Sequence, residues 1–148
     1  MVKCWITDQP LRESETLALV KTPRAGAAVL FIGTARNHAE GRPVAALEYE
    51  AYADMAEAEM RAIAEEALRR WGAEKIAVVH RTGRLDIGEA AVMAAVSSAH
   101  RKEAFEACAF LMDALKERVP IWKKEHWADG GARWVNDDQQ DDQQNEEA

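Results

Sequence analysis

Cysteine is scarce in this chain: Cys4 and Cys108 are the only two, and no CxxC pair is present. That excludes a disulfide framework and a cysteine-based zinc site, and two free thiols are the ordinary state in a reducing compartment. Histidine is as thin. His38, His80, His100 and His126 stand far apart with neither HxxxH nor HExxH among them, so no metal site is expected. The glycine signatures of nucleotide binding are missing as well. No GxGxxG occurs, and although Gly83 and Gly88 have phosphate-loop spacing, Glu89 and Ala90 stand where that motif needs Lys and then Ser or Thr. The segment GRLDIG therefore reads as a turn. There is no GxSxG elbow, and Ser97-Ser98 falls at a strand end, where helix capping is the commoner job. Long apolar runs are lacking too: nothing approaches the roughly 20 residues that cross a bilayer, and the start MVKCWITDQPLRE has no apolar signal-peptide block. A cytoplasmic location with no membrane partner is expected.

What is present is the composition of a globular protein, with 148 residues, 48% apolar and 30% charged. The net charge of -7 is unevenly placed. From Asn136 onward NDDQQDDQQNEEA holds six acids and no base, and taking those six from 26 leaves 20 acids against 19 bases. The body is near neutral, with no basic excess for nucleic acid but room for a local basic patch. After Val135 the only apolar residue is Ala148, so burial there cannot offset the entropy of ordering. One domain over 1–135 and an acidic disordered tail over 136–148 are expected.

VKCWI opens as a short strand, and Leu11 to Val20 reads as a short helix after Pro10. AAVLFIG, from Ala27 to Gly33, is an apolar run of the kind covered on both faces of a sheet. A polar loop TARNHAEGRP follows, and ALEYEAY alternates as a half-exposed strand does. Asp54 is placed to cap a helix reaching Trp71, with Met60, Ile63, Ala64, Ala67, Leu68 and Trp71 on one face and Gly72 as its stop. KIAVVHR and AAVMAAVSS have strand length. A second long helix runs from about His100 to Arg118, with Ala104, Phe105, Cys108, Leu111, Met112 and Leu115 as its buried stripe and Pro120 closing it. IWKKEHW, a DGG turn and ARWV finish the body. Strands interleaved with two long helices predict an α+β or α/β sandwich with a mixed sheet.

Three groups of residues carry possible chemistry. In SSAHRKEAF, His100, Arg101 and Lys102 crowd the first turn of a helix, where each cation opposes the dipole at about 0.3 to 1 kcal/mol. A bound phosphate or carboxylate would compensate, and so would solvation or pairing with Glu103 and Glu106; spacing alone does not choose. In KERVPIWKKEHW, Lys116 and Arg118 suit a helix C-terminus. Lys123 has no such explanation. It shares a strand face with Ile121 and Glu125, and if that face is the inner one, partial desolvation suits Lys123 to general acid/base or nucleophilic work. The third group, Arg36-Asn37-His38, follows the buried strand in a loop, a common place for ligand contacts.

FIGTARNH, ALEYEAY, VVHRTGRLDIGE, VSSAHRKEAFEA and LKERVPIWKKE, in this order, resemble the large, catalytic subunit of molybdopterin synthase, the MoaE family. The resemblance runs from about Ala27 to Val135. It implies an α/β hammerhead-type fold and a homodimer, with a small ubiquitin-like sulfur carrier docked at each far end to make a heterotetramer. The small subunit's C-terminal Gly-Gly thiocarboxylate would enter the large subunit's pocket. Two sulfurs would pass to cyclic pyranopterin monophosphate (precursor Z), giving the dithiolene of molybdopterin with no metal or cofactor. By the same resemblance Arg36, His100 and Arg101 bind the pterin phosphate, some of them across the dimer interface. Lys116 sits beside the incoming thiocarboxylate, Lys123 is a second catalytic lysine, and Phe31, Met112 and Glu125 line or support the pocket.

Overall fold

The computed structural model describes residues 1–135, so the acidic tail expected over 136–148 lies outside the described residues. The chain begins with β1 (Val2–Thr7), α1 (Glu13–Ala18), β2 (Ala27–Thr34) and the short hairpin β3 (His38–Ala39) and β4 (Arg42–Ala51). Next come α2 (Ala53–Trp71), β5 (Lys75–Arg81), β6 (Gly83–Asp86) and β7 (Ala90–Ser98). It ends with α3 (Arg101–Arg118), β8 (Ile121–Trp127) and β9 (Ala132–Val135).

These strands make two sheets. In the first, ordered β1-β5-β7-β2, β1 runs parallel to β5 and the other pairs are antiparallel, which gives the mixed sheet that was expected. Both long helices lie on one face of it. Their buried stripes, Met60, Ile63, Ala64 and Ala67 on α2 and Cys108, Leu111 and Leu115 on α3, meet Ile76, Val78, Ala94 and Val96 in the main core. The α2 stripe recurs at the 3.6-residue period predicted for it, and Gly72 ends the helix in the left-handed region at φ 61°, where a Cβ would be strained. On the opposite face Val20, Ala77 and Ala95 form a smaller cluster under α1, which at six residues is too short to cover the sheet. The second sheet is antiparallel, ordered β3-β4-β8-β9 with β6 also against β4, and encloses its own core of Val44, Leu47, Tyr49, Leu85 and Trp127.

The differences from expectation are local. β2 is an edge strand with Ala28, Phe31 and Thr34 exposed, not a strand covered on both faces; an apolar run reports burial propensity but not sheet order. GRLDIG is not all turn, because its first four residues pair with β4 as β6. Tyr52, not Asp54, precedes the first turn of α2, and no side chain caps it. Ser97 and Ser98 are buried in β7, while His100 takes the N-cap position of α3. Phe105 is 61% exposed. The buried face of α3 runs through Ala104, Ala107, Cys108, Leu111, Ala114 and Leu115, and Phe105 lies a helical step of about 100° away from Ala104. Among the described residues no helix is long and apolar enough to cross a membrane.

Candidate active site

The strand IWKKEHW alternates in space as in sequence: Lys123, Glu125 and Trp127 are buried, and Trp122 points outward. The Ile121 face is therefore the inner one. Lys123 lies mid-sheet, opposite Tyr49 on β4 and Val135 on β9, and is only 8% exposed. An amine so placed has lost most of its water, and the protein must supply its polar contacts.

The loop after β2 approaches the same place because its backbone is pinned. Ala35 donates to the Glu89 carbonyl at 3.0 Å and accepts from Gly88 at 2.8 Å, while Val44 donates to the Asn37 carbonyl at 2.8 Å. The anchoring turn is itself held by the Glu89 carboxylate. It accepts from the Asp86 backbone N–H at 2.8 Å and from Arg81 at 2.9 Å, and those two bonds hold it below the usual carboxylate range. The result is a cavity of about 70 Å³ lined by Thr34, Arg36, His38, Val44, Tyr49 and Lys123, together with Ala39 and Leu47.

Behind Lys123 sits a charge cluster. Glu125 is 1% exposed, and its Oε2 has no hydrogen-bond partner among the described residues. Burial pushes its carboxyl above the usual range, opposed by the positive charges of Lys123, Arg133 and Arg36 and reinforced by Glu40. Glu40 in turn accepts from Arg133 at 3.0 Å, and it sits at φ 52° in the β3–β4 turn. A second strap crosses nearby: Arg42 pairs with Asp129 at 2.8 Å and lies 4.4 Å over the Trp127 ring, which holds the hairpin on the β8–β9 turn.

Of the residues expected in the site, Arg36, Lys123 and Glu125 converge. Phe31 and Met112 do not line the cavity: Met112 is half-buried against the main core, and Phe31 is exposed on the edge strand with its ring beside Gly33. Lys116, exposed in the last turn of α3, falls at the β2 end that leads into the Arg36 loop, because α3 returns along β7. His100 and Arg101 do not join them. They open α3 beside the Ala27 end of β2, so an eight-residue strand, roughly 25 Å at about 3.4 Å per residue, separates them from Arg36. Tyr49, Thr34, Arg133 and Glu40 were not anticipated. Tyr49 was visible only as an alternating strand residue, and its facing of Lys123 is a matter of register.

Both cysteines are buried, and burial pushes each thiol up to about 11. They stay protonated near neutral pH and are poor nucleophiles. Among the described residues no group of three or more His, Cys, Asp or Glu side chains is placed to hold a metal ion.

Known proteins share this architecture and sequence. The model of the family described as MoaE protein matches residues 6–118. A protein of Halalkalibacterium halodurans named molybdopterin synthase catalytic subunit is 44% identical over 132 residues, covering 89% of this chain and 84% of that one. Molybdopterin synthase catalytic subunit 1 of Mycobacterium tuberculosis is 44% identical over 134 residues, with 90% of each chain covered. The crystal structure of molybdopterin synthase from Staphylococcus aureus superposes with a TM-score of 0.84 at 39% identity, over 89% of this chain and 96% of that one. With a family match over most of the described residues and agreement in both sequence and fold, this chain belongs to the MoaE family.

Proposed function

We propose that this chain is the catalytic subunit of a molybdopterin synthase. In that role it transfers two sulfurs from the C-terminal thiocarboxylate of a small ubiquitin-like subunit to cyclic pyranopterin monophosphate, forming the dithiolene of molybdopterin. The observation that carries this is the convergence of Arg36 and the buried Lys123 on one cavity, on the scaffold of a family whose members bear that name. The chain's own thiols are buried and protonated, which favours a sulfur that arrives on another protein. A solved complex of subunits 1 and 2 of a molybdopterin-converting factor from Helicobacter pylori shares the fold, with a TM-score of 0.66 at 18% identity.

The roles divide by position. Arg36 offers a planar fork for phosphate at the cavity mouth. Lys116 holds and polarises the incoming thiocarboxylate, and Lys123 moves a proton as the substrate side chain loses oxygen and captures sulfur. Phe31 and Met112 supply apolar surface, and Glu125 keeps Lys123 oriented. The cavity is far too small for a pterin, so the substrate must extend outward from it. His100 and Arg101 are supplied by a second copy of the chain, because within one copy they lie at the wrong end of β2. Two copies with a small subunit at each far end make a heterotetramer, and free buried thiols suit a cytoplasmic setting.

Reconstitution tests this: the chain, a thiocarboxylated small subunit and cyclic pyranopterin monophosphate are mixed, and the dithiolene product is assayed beside Lys116→Ala and Lys123→Ala. Product that needs both lysines supports the assignment. Complex formation without product would leave a docking protein, and wild-type rates in either variant would remove that lysine from the mechanism.

A further inference from the structure

The sulfur-transfer chemistry contains a step that no residue above performs. A thiocarboxylate sulfur that bonds to a substrate carbon is still bonded to its own acyl carbon, so the first product is a thioester joining the small subunit's terminus to the substrate. Releasing it requires a nucleophile at the acyl carbon. Water is the available one, and the cavity volume of about 70 Å³ is several times what a single water needs.

We infer that His38 accepts the proton of that water, an inference that rests on the sulfur-transfer function proposed above. His38 lines the same cavity as Arg36 and Lys123. Its Nδ1 lies 3.0 Å from Oδ1 of Asn37. With the amide oxygen accepting, Nδ1 carries the hydrogen, and Nε2 is the ring's remaining proton acceptor. A neighbour that fixes the tautomer in this way is the arrangement a histidine base requires. His38 opens β3, paired with β4, and the loop before it is pinned at Ala35 and Asn37, so the ring stands on fixed backbone. As water's oxygen bonds to the acyl carbon, Nε2 takes one proton. The C–S bond then breaks with its electron pair going to sulfur, which stays on the substrate as thiolate. The partner's terminus leaves as a carboxylic acid and loses its proton to solvent. The Arg36 and Lys123 side chains line the space where the oxyanion develops.

A single-turnover experiment separates this from a wall role. His38→Ala is mixed with the thiocarboxylated small subunit and cyclic pyranopterin monophosphate, and the small subunit is followed by mass spectrometry. The expected result is accumulation of a small-subunit–substrate adduct, product formation slowed about 100-fold, and recovery on adding imidazole. His38 is exposed, and circular dichroism of the variant checks that the fold is kept. Wild-type turnover, or slow turnover with neither adduct nor imidazole rescue, would overturn the inference while leaving sulfur transfer intact. Absence of product from the wild-type chain would overturn both.

Discussion

At the scale of single residues, Lys123 and Glu125 stand out for their burial on β8. Both are buried on one strand face, and the two charges face each other's field at low exposure. If Lys123 moves a proton, Lys123→Ala should lower the rate of product formation by roughly 10² or more, with a smaller effect on binding of the small subunit. Its measurement is the reconstituted rate beside a pull-down. Glu125 makes a prediction about pH. Its carboxyl is raised in the folded state, so the folded chain binds more protons than the unfolded one across that window, and stability falls as pH rises through it. A glutamine is neutral at every pH. Glu125→Gln should therefore gain melting temperature over the wild type as pH goes from 4 to 7 by a thermal scan, and equal melting at both ends would refute the burial argument. The alternation that pairs Lys123 with Glu125 was legible in IWKKEHW. Which face turned inward was not, because each mixes a lysine with bulky apolar side chains, Lys123 with Ile121 and Trp127 on one and Lys124 with Trp122 on the other.

At the scale of elements, close packing of β2 against β7 is tightest beside the Phe31 ring. Gly33 is there because nothing larger fits: a Cβ would stand 2.7 Å from Cγ1 of Val92 and 3.3 Å from Cε1 of Phe31. Gly33→Ala should destabilise the fold by about 1 to 3 kcal/mol and displace the Phe31 ring, read as a lowered denaturant midpoint with an unchanged slope. The long elements were legible in sequence because α2, α3, β5 and β7 carry long periodic or continuous apolar patterns. β3 and β6 were not, being two and four residues long, too short to show a period. Phe105 shows the limit from the other side, since counting apolar residues along α3 overstates the width of its buried stripe.

At the scale of the whole molecule, Arg36 follows one end of the β2–β7 pair, and His100 and Arg101 stand beyond the other. If a second copy supplies His100 and Arg101, chains carrying Lys123→Ala and chains carrying Arg101→Ala should complement when mixed and refolded together. Half the pairs would then hold one intact site of two, about a quarter of wild-type activity, where each variant alone has almost none. No recovery would mean that each copy works with its own residues. What the sequence determined by itself was the set of reactive side chains, the periodic elements and the family resemblance, because these are properties of residue type and spacing along a chain. The tertiary structure alone decided that Lys123 is buried opposite Tyr49, that Arg36 and His38 join it, and that His100 and Arg101 do not. Those facts depend on strand register and sheet order, which bring together residues tens of positions apart and carry no local signal.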